Sequence, residues 1–221
     1  MTAPTAAPDI RAVDDPPGVD NPYWQQVRQI PDWGQSWDCC STSPPRRSRD
    51  DFVYHHSWAI PDPLSVKFVA DNCPNGAVEI GAGSGYWAWQ LAQRGVPVAA
   101  FDEAPPNIAE NCWCQDGTLP AADRLRRLFY PVVEGNTRNA KAFPNRALFL
   151  CWPPNKTPMA AAALDFYPGN RLIYIGDNDC CADEDFFTAL AQDWVEVATH
   201  RPVQWGGMSD WITVYDRKAS T

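Results

Sequence analysis

At 221 residues the chain is long enough for one domain with a sizeable core, and 45% hydrophobic against 20% charged residues excludes a disordered polymer. A net charge of −9 and a pI near 4.7 exclude a broad basic face for gripping nucleic acid, so a nucleic-acid partner is disfavoured. No run approaches the roughly 18 apolar residues of a membrane span, while 22 prolines and 11 tryptophans place much of the chain in loops packed by indole rings.

Residues 1–22 lack the basic start and apolar centre of a signal peptide, so residence in the cytoplasm is expected. Rich in Ala, Pro and Asp and without a hydrophobic period, they read as a flexible tail. Residues 23–57 read as a helical and loop extension. YWQQVRQIPDW forms a short helix there, and STSPPRRSRDD a solvated loop whose arginines are answered by aspartates. Eight cysteines in a chain without an export signal read as reduced thiols. Cys39 and Cys40 are adjacent, as are Cys180 and Cys181, and one residue separates Cys112 from Cys114. Such spacings hold a tetrahedral zinc poorly, so packing is the expected role and no metal is expected.

From residue 58 to residue 217 the pattern becomes regular and predicts one domain. PDPLSVKFVADNC predicts a helix with Pro63 near its start and Leu64, Phe68 and Val69 on its core face. GAVEIGAG predicts a buried strand, SGYWAWQLAQRG a helix stopped by Gly95, and VPVAAFDE a second strand ending at Asp102. The length of this β–α–β stretch suits a right-handed parallel crossover. FYPVVEG, RALFLC and RLIYIGD predict strands three to five. TPMAAAALDFY predicts a helix capped by Thr157 with Pro158 as its first residue, and DEDFFTALAQDW one with acids in its first turn. The remaining β-rich runs, joined through Gly206 and Gly207, predict a terminal antiparallel hairpin. The fold class is therefore α/β, a Rossmann-like doubly wound sheet.

The informative cluster is Glu79, Gly81, Ala82, Gly83 and Gly85, at the carboxyl end of the first strand. Glycines there let the backbone turn sharply and a ligand approach without Cβ atoms in the way. Asp102, at the end of the next strand, is placed to accept hydrogen bonds from both hydroxyls of a ribose. Nicotinamide sites use GxGxxG, but Tyr86 stands where its third glycine would be. The spacing GxGxG, with an acid two positions before it, resembles motif I of class I S-adenosylmethionine-dependent methyltransferases.

That resemblance runs from about Trp58 to Arg217. SWAIP, EIGAGSGYWA, FDEAPP, LCWPPN and LIYIGDNDCCADEDFF more narrowly resemble methyltransferase-like proteins of microbes and fungi with a WPP motif after strand four. The resemblance implies a seven-stranded sheet of order 3-2-1-4-5-7-6 with strand 7 antiparallel. It implies S-adenosylmethionine as cofactor and S-adenosylhomocysteine as product. Gly81, Gly83 and Gly85 would pass its methionine part, Glu79 would orient the amino group indirectly, and Asp102 would hold the ribose. Glu134 and Gly135 would flank the adenine, with Trp58 and Tyr86 as covering aromatics.

Cys151, Trp152, Pro153, Pro154 and Asn155 follow strand four, where open α/β sheets carry their chemistry. The run resembles the (D/N/S)PP(Y/F) motif of amino-methylating enzymes, in which the polar first residue and the following carbonyl accept hydrogen bonds from the target amine. Trp152 and Asn155 depart from it at both ends, and an indole offers the amine no acceptor. Candidate bases are His55, His56, His200, Asp177 and Asp179. The expected activity is methyl transfer to a small-molecule or peptide acceptor. The alternatives are amino-methylation of adenine in nucleic acid and a non-catalytic cofactor-binding module.

Overall fold

The computed structural model describes residues 9–30, 49–108, 111 and 128–219. Its centre is a seven-stranded sheet of order β3-β2-β1-β4-β5-β7-β6. The strands are β1 (Ala77–Ile80), β2 (Val98–Asp102), β3 (Val132–Glu134), β4 (Ala147–Cys151), β5 (Arg171–Gly176), β6 (Trp194–His200) and β7 (Trp211–Arg217). Strands β1 to β5 pair in parallel, and β7 runs antiparallel to both β5 and β6. This is the Rossmann-like topology expected from the sequence.

The central strands are buried on both faces, which is why they read as apolar runs rather than alternating ones. Their period of two still sorts side chains between the layers. Ala77, Phe149, Ile173 and Ile175 face the helices α3 (Pro63–Asp71) and α4 (Tyr86–Ala92). Val78, Ile80, Leu148, Leu150, Leu172 and Tyr174 face α5 (Met159–Phe166) and α6 (Glu184–Asp193).

Two helix details differ from expectation. On α3 the buried face is Val66, Val69 and the small Ser65, while Leu64 is 40% exposed. Asp62 caps this helix by accepting from the Leu64 and Ser65 amides, which fixes its rotation. On α5 the first residue is Met159 with Pro158 at the N-cap position. The Thr157 hydroxyl does not cap the helix; it donates to the Pro154 carbonyl at 2.9 Å.

Residues 9–22, expected to be part of a flexible tail, join the helical extension in a strap packed on the domain. Residues 9–30 include α1 (Pro22–Val27), whose Tyr23, Trp24 and Val27 are fully buried in a third cluster with Phe52, Ile60, Tyr86, Val203 and Trp205. Trp24 donates its indole N–H to the Val13 carbonyl at 3.0 Å, and Gln90 on α4 donates to the Asp20 carbonyl at 2.8 Å. Asp15 forms a buried ion pair with Arg94. The Trp205 indole N–H donates to the Tyr23 hydroxyl at 3.0 Å, so the start and end of the chain meet. A second short helix, α2 (Arg49–His55), precedes α3. Composition misleads here because the apolar anchors are sparse and their partners lie far along the chain.

Among the described residues, no helix is long and apolar enough to cross a membrane.

Candidate functional site

The chain leaves β1 for β2 and β3 on one side and returns to β4 on the other, so the sheet order reverses beside β1. Ligands of open α/β sheets bind at the carboxyl edge of such a point. A cavity of about 320 Å3 opens there, within the size range of small-molecule sites.

Its first half is built from the ends of β1, β2 and β3. Gly81 and Gly83 line it with φ of 77° and 53°, a region costly for residues with a Cβ. A Cβ on Gly81 would also stand 2.6 Å from the Met159 methyl. The turn is held by the Gly81 and Ala82 amides, which both donate to the Phe101 carbonyl, at 2.9 and 3.0 Å. Asp102 completes it. Its Oδ2 accepts from the Gly83 amide at 2.8 Å, and its Oδ1 accepts from the Ala104 amide at 2.9 Å and the Asn111 side chain at 3.1 Å. Gly135, Asn136 and Thr137 close this half after β3. The Gly135 amide donates to the Asp102 carbonyl, and Asn136 and Asn139 form a reciprocal cap on the following 3-10 turn.

The second half is built from the end of β4 and its neighbours: Trp58, Cys151, Trp152, Pro153, Pro154 and Asn155, with Cys180 at its margin. The Trp58 and Trp152 rings stack with centroids 5.3 Å apart, and the Arg49 guanidinium lies 4.9 Å over the Trp58 ring. Trp152 has φ of 53°, uncommon for a bulky residue and a mark of a backbone held by its surroundings. Three backbone bonds hold it: Trp152 amide to Ile175 carbonyl, Ala182 amide to Pro153 carbonyl, and Lys156 amide to Ala182 carbonyl. The Pro153 and Pro154 carbonyls thus already accept from Ala182 and Thr157. Each carbonyl keeps a second lone pair, so what the motif lacks for an amine is the polar side chain that Trp152 replaces. The Cys151 thiol is pushed well above its ordinary pKa, chiefly by burial, and so stays protonated.

Of the residues singled out from sequence, Trp58, Gly81, Gly83, Asp102, Gly135, Cys151, Trp152, Pro153 and Pro154 converge on the cavity. Six others do not line it. Ala82 is buried beneath the loop, and Gly85, with φ of 73°, caps the start of α4. Glu134 is exposed on the edge strand β3. Tyr86 is buried in the strap cluster, where its hydroxyl donates to Asn21 and accepts from the Tyr23 amide. Asp177 lies outside the lining, its two oxygens accepting from the Asp179 and Ser209 amides and tying the end of β5 to the β6–β7 connection.

Glu79, the sixth, is buried under the loop. Burial, reinforced by the negative charge of Asp102 and opposed by the Ala88 amide, pushes its carboxyl up to about 8. Glu79 is therefore a neutral acid at pH 7. Because the folded pKa lies above the unfolded one, its contribution to stability is complete below about 4.5 and is lost as pH rises toward 8. Glu79→Gln is expected to flatten that fall, so that urea midpoints of variant and parent agree at pH 4 and diverge in favour of the variant by pH 8. Parallel curves would show that Glu79 ionises at its ordinary pKa.

The remaining candidate bases, His55, His56, His200 and Asp179, lie outside the cavity lining. His56 stacks between Tyr23 and Phe129, and His200 stacks on Phe68 at the end of the edge strand β6. No group of three or more His, Cys, Asp or Glu among the described residues is arranged to hold a metal ion. Cys39, Cys40, Cys112 and Cys114 lie outside the described residues. Sequence reasoning missed Asn111, Asn136, Thr137 and Met159, which line the cavity, and Arg49 and Asp210, which hold its tryptophans.

No family model and no curated protein matches the chain. Solved structures resemble it at low identity. One is magnesium protoporphyrin IX methyltransferase from Synechocystis PCC 6803 with bound SAM, at 13% identity over 84% of this chain and 89% of that one, TM-score 0.47. Another is a SAM-dependent O-methyltransferase from Thermotoga maritima, at 15% identity over 79% and 72%, TM-score 0.46. A third is an rRNA methylase from Streptococcus thermophilus, at 16% identity over 70% and 94%, TM-score 0.41.

Proposed function

We propose that this chain binds S-adenosylmethionine and transfers its methyl group to a small-molecule or peptide-borne acceptor. The observation that carries the reading is Asp102, whose carboxylate closes the β2 end of the cavity while bracing the Gly81–Gly83 turn beside it.

The residues present fit the cofactor. A carboxylate has about four acceptor positions, and three N–H groups occupy Asp102, so capacity remains for a ribose hydroxyl. Gly81 and Gly83 line the cavity as bare backbone, which lets the thin methionine chain approach closely. Gly135, Asn136 and Thr137 would bound the adenine, with an amide side chain available to its ring nitrogens.

When bound, the cofactor supplies an electrophilic methyl on a sulfonium. The chain's own contribution is then mainly alignment and exclusion of water. The β4 loop, fixed by its three backbone bonds, sets the acceptor's approach. Among the described residues no ionised base lines the second half of the cavity, which favours an acceptor atom that is nucleophilic without one or loses its proton to solvent. Amino-methylation of adenine in nucleic acid is disfavoured. The chain is acidic, and Trp152 offers no acceptor where the motif needs a polar side chain.

Isothermal titration of the purified protein with S-adenosylmethionine and S-adenosylhomocysteine tests the reading. Micromolar binding of either is the expected result. A folded protein that binds neither would refute it.

A further inference from the structure

Asp210 lies in the β6–β7 connection and is 4% exposed. One of its oxygens accepts from the Trp152 indole N–H at 3.0 Å; the other is buried with no hydrogen-bond partner among the described residues. A buried carboxylate half-satisfied in this way is costly unless what it holds matters. What it holds is the ring that walls the second half of the cavity, on a residue whose φ of 53° leaves the backbone little freedom to follow if the ring turns. The Asp210 loop is itself fixed, because the Ser209 amide donates to Asp177 and the Gln204 side chain donates to the Asp210 carbonyl.

That half of the cavity presents indole faces, proline rings and the protonated Cys151, with Asn155 as its amide group. Among the described residues no charged side chain lines it, Arg49 being stacked over the Trp58 and Trp152 rings, so an ionised ligand group would be desolvated there without a direct ion pair. Flat π systems, by contrast, gain from indole faces beyond the area they bury. We infer that Asp210 is a positioning residue that fixes the Trp152 indole as one wall of the acceptor half, and that a flat, uncharged aromatic acceptor group stacks against it. The inference rests on the methyl-transfer reading only in calling this half the acceptor's.

The hydrogen bond supplies its own signature. Burial pushes the Asp210 carboxyl up to about 6. Asp177 raises it further, while the Trp152 N–H and Arg49 oppose the rise. Tyr23, Cys151, Cys180 and Cys181 also sense its charge, but each has its own pKa raised and stays neutral in this range. Above pH 6 the indole N–H therefore donates to a carboxylate, and below it to a neutral acid.

The test uses the full chain with ¹⁵N-labelled tryptophan, the Trp152 indole resonance being assigned by its loss in Trp152→Phe. That resonance is expected to titrate with a midpoint near pH 6, and Asp210→Asn is expected to abolish the titration while keeping an acceptor oxygen for the ring. At pH 7.5, 2-naphthol is expected to shift the resonance saturably, whether or not S-adenosylhomocysteine is present. Decahydro-2-naphthol, the saturated analogue, is expected to leave it in place. Asp210→Ala should weaken the naphthol effect at least fivefold, and Asp210→Asn should restore it to within twofold. A resonance that does not titrate, or that responds alike to both alcohols, overturns the inference. Failure of S-adenosylhomocysteine to bind would instead count against the methyl-transfer reading, since the titration and the naphthol comparison proceed without it.

Discussion

Asp102→Ala is expected to weaken S-adenosylmethionine binding by about 1–3 kcal/mol, roughly 5- to 150-fold in Kd. Two losses combine in that figure. The ribose would lose its charged acceptor, and the cavity would lose the brace that holds its glycine turn. In the structure the carboxylate gathers the Gly83 amide, the Ala104 amide and the Asn111 side chain, so truncation leaves three donors without their acceptor. Asp102→Asn should not rescue binding, because its NH2 must face either the Gly83 or the Ala104 N–H, donor against donor. The fold should survive, since the sheet core does not depend on this group, with a loss of stability of about 1–3 kcal/mol. Titration calorimetry measures the first effect and urea unfolding the second. An Asp102→Ala protein that binds within twofold of the parent would remove Asp102 from the site.

The second large effect belongs to the strap. Trp24→Ala is expected to destabilise the protein by about 3–5 kcal/mol, the range for emptying a buried aromatic site. Trp24 is fully buried, its indole N–H is bonded to Val13, and its amide is capped by Asn21 at 3.2 Å. The cavity left behind cannot collapse freely, because Tyr23 and Val27 on the same helix are pinned in the same cluster. Loss of the strap would also expose the outer face of α4 and strand Arg94 without Asp15. Urea unfolding followed by tryptophan fluorescence gives the measurement. A cost below about 1 kcal/mol would mean that residues 9–30 can lift away with little consequence for the domain.

The parts of this architecture that were legible in the sequence are those written locally. Gly81, Gly83 and Asp102 declare their place at strand ends through spacing, the alternation of strands and helices declares an α/β sheet, and the strand order comes from the family resemblance. What escaped depends on distant partners. Nothing near Tyr86 signals that its hydroxyl will be taken by Asn21, 65 residues earlier. Nothing near Asp210 signals a bond to Trp152, 58 residues away. Asp177 shows the converse: it stands at the right end of β5, but position does not reveal that its oxygens tie that end to the β6–β7 connection and that it stays outside the cavity lining. That the Pro-Pro carbonyls serve the neighbouring turns is likewise not legible in the residue types.

The meeting of Tyr23 with Trp205 has a consequence in time. The two residues are 182 positions apart, and Val203 reaches back 141 positions to Asp62. Contacts of such separation must await loop closure across nearly the whole chain, so the fold belongs to the slow, high-contact-order class. On the ribosome the first aromatic anchors emerge early and meet only part of their cluster, Phe52, Ile60 and Tyr86, until Val203 and Trp205 of the β6–β7 connection have been made. During that interval the cluster around Tyr23, Trp24 and Val27 is incompletely covered, which makes a nascent or truncated chain a substrate for chaperones in a way the finished molecule is not.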